Sequence, residues 1–138
     1  ALELNSPSKS HNLAGWRVGM LAGRKEYIQT VLRFKSNMDS GSFLGIQLAA
    51  VEALNQGPLW YERQNREYEQ RRVIARQIMD VIGCSYQTDQ VGLFVWARCP
   101  EGTDGYKLSD ALLHDHHLFI TPGGIFGPAG TKFLRTSL

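Results

Sequence analysis

The hydrophobic pattern changes character along the chain, from helical spacing in the first half to short apolar runs in the second. Ile28, Val31 and Leu32 fall on one face at helical spacing, which predicts a helix over Lys25 to Leu32. Met38 to Ser42 reads as a loop, with Ser40 or Ser42 placed to cap a second helix that runs to about Asn55. That helix is apolar nearly all round, through Phe43, Leu44, Ile46, Leu48, Ala49, Ala50, Val51, Ala53 and Leu54, a pattern that predicts burial on more than one side. Gly57-Pro58 closes it and opens a long helix from Pro58 to Ile82, polar in its first half, with Gly83 as its stop.

Short strands are predicted beyond Gly83. Val91 to Arg98 is the clearest, being rich in β-branched and aromatic residues. A loop over Pro100 to Gly105 precedes a short helix from Leu108 to His114, with Ser109 as its candidate cap. Leu118 to Thr121 and Phe133 to Leu138 read as strands around a glycine-rich loop from Pro122 to Gly130. At the other end, Ala1 to Leu4 reads as the end of a strand, Asn5 to Ser8 as a polar turn pinned by Pro7, and Trp16 to Leu21 as strand-like. The sum is an α/β protein whose second part is a small unit of helices on a mixed sheet.

Composition removes several function classes. The net charge is only +2, and Arg71, Arg72 and Arg76 are interleaved with Glu62, Glu67 and Glu69, which describes a solvated helix face and no nucleic-acid surface. No apolar run is long enough to cross a membrane, and Ala1 to Lys9 has no signal-peptide pattern. Cys84 and Cys99 form no CxxC and have no histidine at zinc spacing, so they read as reduced, half-buried core residues of a cytoplasmic protein. His114, Asp115, His116 and His117 look like a metal cluster, but they fall at a helix end where neighbours diverge, and no metal is expected. His11 reads as a solvent-side or loop histidine, and Trp60 and Tyr61 as packing residues.

The chemistry-bearing candidates lie near the start. Lys9 sits between Ser8 and Ser10, with Ser6 three residues before it and Arg17 eight after. A phosphorylated aldehyde needs an amine whose pKa can be lowered, hydroxyl donors for its phosphate and a permanently charged fork. Lys9, Ser6 and Arg17 supply these groups, at a spacing that permits such a site without requiring it.

The segment Ser6-Pro7-Ser8-Lys9-Ser10-His11-Asn12-Leu13-Ala14-Gly15-Trp16-Arg17-Val18-Gly19 resembles the cofactor-attachment segment of the class I and II aminotransferases, which use pyridoxal 5'-phosphate (PLP). Pro7 departs from the aliphatic or aromatic residue usual there. Val91-Gly92-Leu93-Phe94-Val95-Trp96 is similar to a strand of the family's small domain, and Thr121 to Gly127 to the loop before its last arginine. Phe133-Leu134-Arg135-Thr136-Ser137-Leu138 resembles the segment that carries that arginine.

The resemblance implies that Lys9 holds PLP covalently and acts as the catalytic lysine, that Ser6 and Arg17 bind the cofactor phosphate, and that Arg135 grips the substrate α-carboxylate. It implies the aspartate aminotransferase-like fold, with residues 1–57 as the end of the PLP-binding large domain and 58–138 as the small C-terminal α/β domain. Amino-acid and 2-oxo-acid substrates, a homodimer and an activity leaning toward aspartate, alanine or diaminopimelate-like substrates follow from it. The family's final helix and the groups upstream of the lysine have no counterpart in these 138 residues, so the chain alone is expected not to transaminate, and its Lys9 to be exposed. A carbon–sulfur lyase, an acyltransferase or a non-catalytic regulator on the same scaffold are the alternatives.

Overall fold

The computed structural model describes all 138 residues. By internal contacts the chain forms two units, Ala1–Tyr61 and Glu62–Leu138.

In the first unit, strand β1 (Leu2–Asn5) pairs antiparallel with β2 (Met20–Gly23), from Leu2 opposite Gly23 to Asn5 opposite Met20. Between them the chain makes a one-turn helix, α1 (Pro7–Ser10), and a 3₁₀ turn, Ala14–Trp16. Asn5 to Ser8 is therefore not a plain turn: Ser6 is an N-cap residue and Pro7 takes the first helical position, where its missing N–H costs nothing. The strand-like stretch from Trp16 starts late, at Met20, because Arg17 adopts a left-handed backbone (φ 53°, ψ 45°) that no strand accommodates.

Helix α2 (Lys25–Met38) runs six residues past the predicted Leu32. No breaker follows Leu32, and Asn37 Nδ2 donates to the Arg33 carbonyl while Lys35 pairs with Asp39. Helix α3 (Leu44–Leu54) follows. Neither Ser40 nor Ser42 caps it, since Phe43 holds the cap position without a side-chain bond. The burial expected of α3 is absent within this chain: none of its residues is buried, and Leu48 is 61% exposed.

The long helix α4 (Pro58–Ile82) has the predicted limits, and Gly83 ends it at φ +80°. The second unit continues with β3 (Ser85–Tyr86), β4 (Phe94–Arg98), α5 (Gly105–His116), β5 (Thr121–Pro122) and β6 (Phe133–Ser137). The four strands make one sheet in the order β3-β4-β6-β5. Every pairing in it is antiparallel, which corrects the expected mixed sheet. Asp104, and not Ser109, caps α5: its carboxylate accepts from the N–H groups of Tyr106 and Lys107. Such a cap contributes about 1 kcal/mol. Ser109 is buried and donates to the Ile120 carbonyl at 2.6 Å.

Strand alternation sorts the sheet into two faces. Val95 and Ala97 of β4 and Leu134 of β6 turn to the core, where they join Ala75, Met79, Cys84, Cys99 and Ile120. Ala75 and Met79 stand four apart on one stripe of α4, and Leu108 and Leu112 do the same on α5. Met79 and Leu134 have no exposed surface, and burying a side chain of that size stabilises by about 1.5–3 kcal/mol. The opposite face receives Phe94, Trp96, Phe133 and Arg135.

Candidate functional site

Lys9, Ser6 and Arg17 lie on one excursion of the first unit, which leaves β1 after Asn5 and returns at Met20. The pairing of Asn5 with Met20 closes its neck. Within the neck, Ser6 Oγ donates to the Val18 carbonyl at 3.3 Å and accepts from the N–H of Ser8 at 3.2 Å. The hydroxyls of Ser6 and Ser8 are 2.8 Å apart. Gly19 stands where any side chain would meet the Asn5 carbonyl, its Cβ at 3.2 Å, so the two chain segments come together without obstruction.

Lys9 is exposed, and its amine makes no hydrogen bond or ion pair. Arg17 is also exposed, and its guanidinium donates once, from Nη1 to the Ala14 carbonyl at 3.0 Å. Its remaining donors have no protein acceptor. A left-handed conformation at a non-glycine residue costs of order 1–3 kcal/mol and persists only where the surroundings over-determine it. The excursion thus carries two neighbouring hydroxyls, a fork with free donors and an amine with no competing partner. That donor set has the chemistry of a cradle for a phosphorylated aldehyde.

Arg135 belongs to the second unit. It lies on β6 between Trp96 of β4 and Thr121 of β5. Its guanidinium is sandwiched between two rings, with Cζ 4.3 Å from the Phe94 centroid and 4.1 Å from that of Phe126. Stacking restrains the plane of the fork and leaves its N–H groups free at the edge, since no protein acceptor takes them. A planar fork held in this way suits a carboxylate, which it can bind through two parallel hydrogen bonds.

The surroundings of Arg135 are themselves braced. Trp96 stacks on Phe133 at 5.2 Å and meets Phe126 at 6.0 Å. The side chain of Gln90 bonds both backbone groups of Trp96, donating to its carbonyl and accepting from its N–H, each at 2.8 Å. Buried Arg72 in turn donates to the carbonyls of Gln90 and Gly92, each at 3.0 Å, and pairs with Glu69. The glycine-rich loop, two 3₁₀ turns, fits against itself: a Cβ on Gly130 would run into the Gly123 carbonyl, and one on Gly123 would come within 2.7 Å of the Trp96 ring. Glycine there permits the close approach that sets Phe126 against Arg135.

Other expectations change. His11 does not face solvent; it is 9% exposed, with Nδ1 2.8 Å from Ser10 Oγ and Nε2 2.8 Å from the Tyr61 hydroxyl. Its ring stacks on Trp60. The partners are fifty residues apart in sequence, and no local pattern announces them. Phe94 and Phe126 went unread for the same reason, since one meets Arg135 through the pairing of β4 with β6 and the other through the fold of the glycine-rich loop. His114, Asp115 and His116 are exposed in the last turn of α5, and no group of three or more His, Cys, Asp or Glu is placed to hold a metal ion. No helix is long and apolar enough to cross a membrane. Cys84 and Cys99 are free and buried.

Comparison with known proteins gives these residues a context. Residues 1–138 match the family described as aminotransferase class I and II. The LL-diaminopimelate aminotransferase of Oleidesulfovibrio alaskensis is 36% identical over 138 residues, covering 100% of this chain and 36% of that protein. Among solved structures, a probable N-succinyldiaminopimelate aminotransferase from Thermus thermophilus superposes with a TM-score of 0.87 at 31% identity, over 99% of this chain and 37% of that one. An aminotransferase from Staphylococcus aureus gives 0.84 at 29% identity, over 99% and 36%. The chain therefore spans little more than a third of the relatives it matches. It belongs to the class I and II aminotransferases, a PLP-dependent family of enzymes, and has their aspartate aminotransferase-like fold.

Proposed function

We propose that these residues are part of a PLP-dependent transaminase that moves an amino group between an L-amino acid and a 2-oxo acid. The observation that carries the reading is the excursion closed at Asn5 and Met20, which carries Ser6, Lys9 and Arg17 on one short stretch, with a free amine on Lys9 and free donors on Arg17. Residues 1–57 are assigned to the end of the large domain and 58–138 to the small domain.

Ser6 and Arg17 would hold the cofactor phosphate, the first by turning its hydroxyl from the Val18 carbonyl and the second by its unspent N–H donors. When bound, PLP supplies an aldehyde that captures amines and a conjugated ring that accepts the electron pair released at the substrate α-carbon. Lys9 Nζ would take the proton from that α-carbon and hold it for return. Arg135 fixes the α-carboxylate of donor and acceptor alike, so one fork serves both half-reactions. A homodimer in the cytoplasm is part of the reading; the two unpaired cysteines support a reducing compartment.

The names of the relatives make LL-diaminopimelate the first donor to assay, and 2-oxoglutarate serves as the test acceptor. Glutamate formed by the whole protein in step with donor consumption supports the reading. Release of ammonia or of a thiol with no glutamate would make it a lyase instead. Borohydride reduction in the presence of PLP, followed by peptide mapping, should place the cofactor on Lys9; label spread evenly over other lysines would refute the site.

A further inference from the structure

Lys9 projects from a helix of one turn. A single turn has no stability of its own, because nucleation fixes several dihedrals for one hydrogen bond. Its start is held by the Ser6 cap and by Pro7, which is almost completely buried. Its end is held by His11. The backbone N–H of His11 donates to the Pro7 carbonyl at 3.0 Å and closes the turn. Its ring is packed on Trp60, with centroids 5.5 Å apart and planes at 17°, and meets Tyr61 edge-on at 5.6 Å. Trp60 and Tyr61 also pack edge-to-face at 5.1 Å.

Both nitrogens of His11 are occupied, one by Ser10 and one by Tyr61. It therefore has no free nitrogen with which to exchange a proton with a substrate. Its contacts instead restrain the residues that flank Lys9 on the C-terminal side. The lysine amine has two tasks, a covalent bond and a proton transfer, and its flexible side chain does the reaching. The Cα from which it reaches has to stay in place, because a misplacement of about 1 Å can cost 100-fold in rate.

We propose that His11 is a positioning residue for Lys9: clamped by Ser10, Tyr61 and Trp60, it fixes the turn from which the lysine works. The inference rests on the reading of Lys9 as the covalent lysine. Three variants of the whole protein test it. His11→Phe keeps a ring against Trp60 but removes both side-chain hydrogen bonds. Tyr61→Phe removes a single hydroxyl and leaves the packing intact. His11→Gln returns an amide near the position of Nε2, within reach of Tyr61.

In the cofactor-free protein, His11→Phe and Tyr61→Phe are expected to speed amide hydrogen exchange across residues 8–13 by about tenfold or more, and His11→Gln to slow it again. With PLP bound, both phenylalanine variants should lower kcat by about 10- to 100-fold with KM for the amino acid nearly unchanged. The double variant should be no worse than His11→Phe, since the bond that Tyr61→Phe removes is already lost there. Faster exchange with wild-type kcat would overturn the proposal, as would a loss of kcat that His11→Gln does not relieve. A loss that merely follows the unfolded fraction in a thermal melt would also overturn it. If borohydride mapping of the wild-type protein leaves Lys9 unlabelled, the reading of Lys9 fails first, whatever the His11 variants do.

Discussion

Arg135 lies as a flat cation between Phe94 and Phe126, and on the proposed reading it also presents a fork to a carboxylate. Arg135→Lys keeps the charge and loses both. Hydrogen bonds to charged groups are worth about 1.5–3 kcal/mol, so KM for the amino acid is expected to rise about 10- to 100-fold, and initial-rate kinetics on the whole protein will measure it. An unchanged KM would detach Arg135 from substrate binding. The cysteines give a second prediction at this scale. Burial, with the Cys99 thiol beside it, pushes Cys84 up to about 11 from 9.0. The folded chain then holds a proton that the unfolded chain gives up, so the contribution of Cys84 to stability is complete below pH 9.0 and is lost as pH rises toward about 11. Urea midpoints near pH 8 and about pH 10.5 should fall less in Cys84→Ala than in wild type, and an equal fall in both would exclude the effect. Ser6, Lys9 and Arg17 stand out as candidates in the sequence because their spacing is local, and Arg135 because its own short segment carries it. His11 does not: what buries it is Trp60 and Tyr61, and a fifty-residue separation leaves no local trace.

Element boundaries were legible wherever a cap or breaker was explicit. Pro58 and Gly83 bracket α4 as read, because one residue cannot continue a helix backward and the other readily turns left-handed. Caps with several serine, threonine or aspartate candidates nearby were misread. Ser109 looked like a cap for α5, yet Asp104 takes that role and Ser109 is spent on Ile120. The direction of the strands was also illegible, since pairing is a property of two segments and not of one. The loop ahead of β6 shows how tightly elements constrain one another. Gly130→Ala would drive a methyl group into the Gly123 backbone. Overpacking of this kind costs about 1–3 kcal/mol, read as a shift of the urea midpoint. The displaced loop would also loosen Phe126, so the variant should raise KM for the amino acid as well as lower stability. A destabilised protein with wild-type KM would mean that the loop does not position the ring.

Over the whole chain, buried apolar side chains are distributed unevenly. Every member of the hydrophobic core belongs to Glu62–Leu138, whereas the helices α2 and α3 of Ala1–Tyr61 have no buried residue. Hydrogen exchange of the 138-residue chain should therefore protect β4 and β6 far more than α2 and α3. Equal protection would show that the first unit gains order from contacts that its burial does not reveal. The apolar sequence of α3 was legible and its exposure was not, because the periodicity of a helix tells how many faces want cover and is silent on what supplies it. Phe43, Leu44, Leu48 and Val51 all stand open to solvent. Exposed apolar surface favours adhesion between molecules. For the isolated chain, then, apparent size by light scattering is expected to grow with concentration, and a size that does not change on dilution would show that α3 is not adhesive.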